Sequence, residues 1–270
     1  MKSTFKSFSS LVIDSIPTRT YSSNETISSE ASKVCNDLAF DELTGVSNTF
    51  TGISEGLSLL PNRTDLKTHH HLHLLVHGSK GGEIHSSLIS IIEQLKRYKN
   101  RSVSIEALTQ EVPPQVEIGK KSMLLVPLFL LPGTHVCNDV PKIFKRFQDD
   151  GKNIKLFPFL GSFHPWLLLI GDWINNHSFF DRPALIHHPV SSEDSSVFVK
   201  SLENVLEIPL YSWTKWNQDI LYGEKNYFPI PYFLTPNKNV EIDSKGKQLK
   251  SLLEIEMIHR GLINILGNLP

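Results

Sequence analysis

The chain has 270 residues, 40% of them hydrophobic and 20% charged, with a formal net charge of −1. This fits a globular protein with room for two domains or one large one, and the near-zero charge excludes a broad electrostatic footprint for nucleic acid. The two cysteines, Cys35 and Cys137, are too few for a four-cysteine iron–sulfur cluster or a disulfide framework and point to a reducing compartment, and no run of about 18 apolar residues offers a membrane span.

Residues 1–66 read as a Ser/Thr-rich extension with little to pack, and poor order is expected there. They lack the apolar core of a secretory signal. Asp14, Glu25 and Glu30 balance Lys2, Lys6 and Arg19, against the acid-poor pattern of a transit peptide. The expected location is cytoplasmic, with the plastid stroma as the alternative if residues 1–32 act as a transit peptide.

Residues 72–76 form a short apolar run of strand length, closed by His77 and followed by the Gly81-Gly82 punctuation. Ile84, Leu88, Ile91, Ile92 and Leu95 then recur at helical spacing, with Glu93 and Arg97 as an i,i+4 pair. Residues 103–108 predict a weaker strand. Residues 123–131 are a continuous apolar run, the pattern of a strand buried on both faces, and His135 follows it. Asn138 or Asp139 is placed to cap the next helix, with Pro141 in its first turn and Val140, Phe144 and Phe147 as its apolar stripe. Residues 154–159 and 165–174 predict the next strand and helix. Such alternation implies a parallel sheet with helices on both faces.

The pattern then repeats. Ala184-Leu-Ile-His187 parallels Leu74-Leu-Val-His77, and Pro231-Tyr-Phe-Leu-Thr-Pro236 parallels Pro127-Leu-Phe-Leu-Leu-Pro132. In register, Asn239 stands where His135 stands, and His188-Pro189 replaces Gly78-Ser79. The second copy is therefore expected to keep the fold and to have lost one ligand. The predicted organisation is an α/β protein: an extension over 1–66, a Rossmann-like half over 67–178 carrying the site, and a degenerate half over 179–270, with the site in the cleft between the halves.

His77 and His135 each follow a buried run, so a parallel sheet puts both at the edge where ligands bind. Neutral imidazole is the commonest metal ligand and suits Fe2+, Co2+ and Ni2+ alike. Two such ligands leave coordination positions open, unlike the closed shell of a structural zinc. The alternative for each is a core histidine satisfied by a backbone partner. The cluster His69, His70, His71 and His73 is read either as a metal-collecting segment or as a solvated one. Cys137 is read as a ligand or as a buried, inert thiol. No GxGxxG or GxxxxGK[ST] is present, against a nucleotide enzyme.

These residues carry a family resemblance, clear over residues 72 to about 175. His77-Gly78-Ser79-Lys80 resembles the His-Gly-Ser-Arg signature of sirohydrochlorin chelatases of the CbiX/SirB type. Residues 126–141 resemble that family's VPLFLxxGxHxxxDIP signature, with Val140 in place of Ile, and residues 157–165 are similar to its PPLGxxP turn. The resemblance implies a chelatase fold and an ATP-independent lyase. Such an enzyme inserts Co2+ or Fe2+, with Ni2+ a third candidate, into sirohydrochlorin for cobalamin or siroheme synthesis, with no iron–sulfur cluster or nucleotide. It implies His77 and His135 as metal ligands and proton acceptors, and Ser79, Lys80 and His164 as substrate-binding residues. Lys80 and Lys142 are candidates to meet the tetrapyrrole's carboxylates as point charges. The family's acidic residue belongs to the pattern AFLE…P. Counting back from Pro113 puts Thr109 at that position, and Glu106 or Glu111 serves if the alignment slips; Glu106 is the candidate catalytic carboxylate. Sirohydrochlorin is the expected partner, and the internal duplication is compatible with a monomer. The rivals are a non-catalytic metal-binding or delivery protein on the same fold, and a tetrapyrrole-binding protein without metal or chemistry.

Overall fold

In the computed structural model the described residues are 70–97, 101–117, 122–177, 182–221, 227–236 and 250–270. The Ser/Thr-rich extension over 1–66, Cys35, His69 and Asn239 lie outside them. The first sheet is built from β1 (His71–Val76), β2 (Val103–Ala107), β3 (Met123–Pro127) and β4 (Ile154–Leu156), all parallel, in the order β2-β1-β3-β4. Both central strands, β1 and β3, are buried along their whole length, which is why the sequence shows them as runs without a polar face.

Side chains alternate across these strands and feed two separate cores. Leu72, Leu74, Val76, Leu124 and Val126 pack on one face with Leu88, Ile91, Ile92 and Leu95 of α1 (Ser86–Arg97). Leu75, Met123 and Leu125 pack on the other with Ile143, Phe144 and Phe147 of α2 (Val140–Asp149). The α1 face continues into α3 (His164–Asn176) through Trp166, Leu167 and Ile170.

A second sheet follows, with β5 (Pro183–His187), β6 (Leu210–Ser212) and β7 (Phe228–Pro231), parallel and ordered β6-β5-β7. This is the order of the first three strands of the first sheet, β5 standing where β1 stands. α4 (Glu193–Leu206), α5 (Trp213–Leu221) and α6 (Glu256–Gly267) accompany it. Leu185, Phe198 and Leu202 of this part share one buried cluster with Leu74, Ile91 and Trp166 of the first, so the two sheets are welded through a common apolar layer. No helix among the described residues is long and apolar enough to cross a membrane.

Two elements differ from their sequence patterns. The apolar run over 123–131 is strand only to Pro127; the Leu128 N–H gives a last bond to the Leu75 carbonyl at 2.8 Å, and the remaining residues carry the chain over the sheet edge toward His135. Asp139 does not cap α2. A π-helical turn (His135–Asp139) runs into that helix without a break, and no side-chain capping bond forms at Asp139. Its carboxylate is used elsewhere.

Candidate metal centre

His77 is the first residue beyond β1 and is exposed. The chain turns at Gly78, whose φ of +77° favours glycine; a Cβ there would lie 2.6 Å from both the Ala107 Cβ and the Thr109 Oγ1. Thr109 fixes the turn by donating its hydroxyl to the carbonyl of Ser79 at 2.6 Å and to that of His77 at 3.2 Å. The Ser79 N–H donates to the Glu83 carbonyl at 2.8 Å, closing the loop. The signature His-Gly-Ser thus builds a turn that presents one imidazole at the C-terminal edge of the central strand.

His135 reaches the same edge from β3. Its approach is supported from behind by the turn at residues 160–162, where the Gly161 N–H donates to the Phe129 carbonyl at 2.9 Å. A Cβ on Gly161 would sit 1.8 Å from the Leu130 carbonyl oxygen, so only glycine permits this closeness. The Phe129 ring stacks near His135, with centroids 6.2 Å apart. The segment that resembles the family's PPLGxxP turn therefore has a supporting role that can be named: it holds the floor beneath His135.

The two imidazoles meet. Their centroids are 4.7 Å apart, at 74° to each other. The His77 Nδ1 lies 2.6 Å from the Gly78 carbonyl, and the His135 Nδ1 lies 2.7 Å from Asp139 Oδ2. Both partners accept only, so in each ring Nδ1 carries the proton and Nε2 keeps its lone pair. The i,i+4 spacing within the π-helical turn is what brings Asp139 beneath the ring, and a carboxylate on the far nitrogen orients a ligating histidine and makes it a better donor. The His135 side chain is 41% exposed, so an ion can reach the pair. Among the described residues no group of three or more His, Cys, Asp or Glu is placed to hold one ion. The site is thus two imidazoles, each oriented through its Nδ1. Cys137, two residues past His135, is not a free thiol and supplies no thiolate.

Glu106 has other partners. It is 3% exposed, on β2, and Arg146 of α2 grips both oxygens at 3.0 and 2.6 Å. His73 Nε2 lies 3.1 Å from Oε2. Burial by itself pushes this carboxyl up, but the hydrogen bonds from His73 and Arg146, with the charge of Arg146, outweigh it and hold Glu106 below the usual carboxylate value. The ladder continues from His73 Nδ1 through Ser104 Oγ at 2.6 Å to His71 Nε2 at 2.6 Å, and from His71 Nδ1 to Ser102 Oγ at 2.8 Å. Because the ionised Glu106 can only accept, each link before it donates in the same direction, from Ser102 to Glu106. Glu106, the expected catalytic carboxylate, is thus buried and takes three hydrogen bonds on its two oxygens from Arg146 and His73. His71 and His73 are likewise buried rungs between β1 and β2, neither solvated nor open to metal.

Of the other expected site residues, Ser79 and Lys80 are exposed on the loop after His77, with the Ser79 hydroxyl 3.4 Å from Glu83 Oε2. His164 opens α3, half-buried, and burial pushes its pKa below that of an ordinary histidine. Lys142 is exposed, 3.6 Å from Asp139 Oδ1. At the second sheet, His187 is 3% exposed and its Nδ1 donates to the His188 carbonyl at 2.5 Å, while burial lowers its pKa. His188 is exposed, edge-on to Phe233 with centroids 5.1 Å apart. Sequence reading missed Asp139 as the partner of His135, although their spacing of four was visible, and it missed Phe129 beside that ring.

Residues 71–170 match the CbiX family model. Two solved structures share the fold. The sirohydrochlorin chelatase SirB from Bacillus subtilis subspecies spizizenii in complex with cobalt is 19% identical, with a TM-score of 0.52 over 73% of this chain and 93% of that one. SirB from Bacillus subtilis with Fe3+ is 18% identical, with a TM-score of 0.54 over 73% of this chain and 94% of that one. No curated protein matches the chain.

Proposed function

We propose, from the CbiX-type domain that residues 71–170 form, that this chain is a sirohydrochlorin chelatase: it takes up a divalent ion on His77 and His135 and passes it into the tetrapyrrole. The observation that carries this reading is the meeting of the two rings at 4.7 Å on the ligand edge of a parallel sheet, each with Nδ1 engaged and Nε2 available. A transfer site must bind an ion without closing its coordination shell, and two imidazoles do so. The pyrrole nitrogens replace water and then imidazole around the ion, so that binding is handed over.

Imidazole does not choose strongly among Fe2+, Co2+ and Ni2+. Co2+ or Fe2+ is proposed as the metal, in keeping with the cobalt and iron of the two SirB structures, and siroheme or cobalt-sirohydrochlorin as the product. Lys80 and Lys142, exposed beside the pair, are the proposed contacts for the substrate's carboxylates, with Ser79 and His164 at the margin. The extension over 1–66, a first half over 67–178 and a degenerate second half over 179–270 remain the proposed organisation, with the cleft between the halves taking the macrocycle.

The test is an anaerobic absorbance assay with sirohydrochlorin and Fe2+, Co2+ or Ni2+ added in turn. Insertion faster than the uncatalysed rate, lost in the His77→Ala, His135→Ala double variant, is the expected result. No acceleration with any ion would overturn the enzyme reading. A second reading, a metal-binding or delivery protein without turnover, is favoured by one observation: Thr109 stands where the resemblance calls for a carboxylate, and Glu106 is locked to Arg146. It predicts ion binding by the wild type without insertion.

A further inference from the structure

We propose that the second half of the chain holds the metal site in shape, with Ser195 at the start of α4 as the positioning residue that fixes the loop carrying His135. The inference rests on the reading of His77 and His135 as metal ligands. It adds a residue that lies outside the family match over residues 71–170.

The need follows from how differently the two rings are delivered. β1 ends at Val76 and His77 comes next, so the strand itself places that ring, and Thr109 of the first half secures its turn. β3 ends at Pro127, and residues 128–134 intervene before His135. A connection of that length holds a ligand in place only if its backbone groups are tied. Its start is tied within the first half. The Leu128 N–H donates to the Leu75 carbonyl at 2.8 Å, and the Phe129 carbonyl accepts from the Gly161 N–H at 2.9 Å.

The tie nearest His135 comes from the second half. The Ser195 hydroxyl donates to the carbonyl of Pro132, three residues before His135. Ser195 is 1% exposed and Pro132 is buried, so water cannot readily replace the hydroxyl if it is removed. The hydroxyl is also aimed. Ser192 caps α4 by accepting the Ser195 N–H at 3.1 Å, and its oxygen lies 2.5 Å from that of Ser195. With the Ser195 proton on Pro132, the Ser192 proton goes to Ser195. From Pro132 the chain enters the site directly: the Cys137 N–H donates to the Gly133 carbonyl at 3.1 Å, at the start of the π-helical turn that carries His135 and Asp139.

A second contact acts on the same loop. Phe198, on the next turn of α4, lies against Phe159 with ring centroids 5.3 Å apart, and both are fully buried. Phe159 leads into the turn at residues 160–162 whose Gly161 holds Phe129. α4 thus braces the His135 loop twice, once directly and once through an aromatic pair. The second half acts on His135 by these contacts, while the turn of His77 is secured by the first half.

The experiment uses the full chain with Ser195→Ala, Ser195→Thr and Leu206→Ala, titrating Co2+ by visible absorbance at a temperature where circular dichroism shows each protein folded. Leu206 is buried at the far end of α4, so its truncation loosens the same helix without touching the loop. The expected result is Co2+ binding weakened roughly 10-fold in Ser195→Ala, retained in Ser195→Thr, which keeps the hydroxyl, and retained in Leu206→Ala despite a lower urea midpoint. At saturating Co2+ the Ser195→Ala spectrum should shift toward that of His135→Ala and not toward that of His77→Ala. Wild-type affinity in Ser195→Ala would overturn the inference. So would an equal loss in Ser195→Thr or in Leu206→Ala, or a shift toward the His77→Ala spectrum. If wild type binds Co2+ and the His77, His135 double variant does not, a fully binding Ser195→Ala removes this assignment alone. If wild type binds no Co2+, the metal reading falls and this inference with it.

Discussion

The edges of the two sheets have the same architecture and different chemistry. Each has a central strand ending at a histidine, flanked by parallel strands in the same order, and each histidine gives its Nδ1 proton to the following carbonyl. At the first edge His77 is exposed and meets His135, which Asp139 orients. At the second, His187 is 3% exposed and held neutral by burial. Strand order supplies a place for a ligand; the first edge adds to it a second imidazole delivered by another loop, with a carboxylate behind it.

The largest expected effect separates the edges directly. The His77→Ala, His135→Ala double variant should lose Co2+ binding, while His187→Ala should keep it, both read by Co2+ titration in visible absorbance. Equal losses would erase the distinction. Next is the ladder under the first sheet. Glu106→Gln leaves Arg146 without its carboxylate and should lower stability by about 3 kcal/mol in urea unfolding. The folded pKa of Glu106 is depressed, so its contribution is complete above the unfolded value of about 4.3 and is lost as the pH falls through the folded value. The acid limb of the stability curve should accordingly be flatter in Glu106→Gln, and a steeper limb would contradict the structural role.

Gly161→Ala should cost about 2 kcal/mol, because its methyl group would meet the Leu130 carbonyl. It should also weaken Co2+ binding by disturbing the floor of His135; a fully stable, fully binding variant would break the proposed support. The smallest effect is expected from Asp139→Asn, which should lower Co2+ affinity roughly 10-fold with the thermal midpoint nearly unchanged. An unaltered affinity would mean that the His135 ring needs no carboxylate to hold it.

Much of the fold was legible because β1 and β3 are buried on both faces, and a strand with no wet side shows as an unbroken apolar run. His77 and His135 were legible as the residues that follow those runs. The partners of Glu106 were not legible because pairing is set by register: it lies opposite Leu75 on β1 and one rung from His73, beneath α2, where Arg146 reaches it. No spacing in the sequence announces that salt bridge, since Arg146 is brought in by a helix 40 residues later. Asp139 was misread for a local reason. An Asp before a Pro-containing helix start has the pattern of a cap, and only the π-helical turn, which leaves no break to cap, releases its carboxylate to His135.

The central claim is that His77 and His135 hold one ion together. X-ray absorption spectroscopy of the Co2+-loaded protein tests it most directly. The account predicts two imidazoles in the wild-type coordination shell and one in each of the His77→Ala and His135→Ala variants, the balance made up by water. An imidazole count that neither substitution changes would place the ion elsewhere and contradict it.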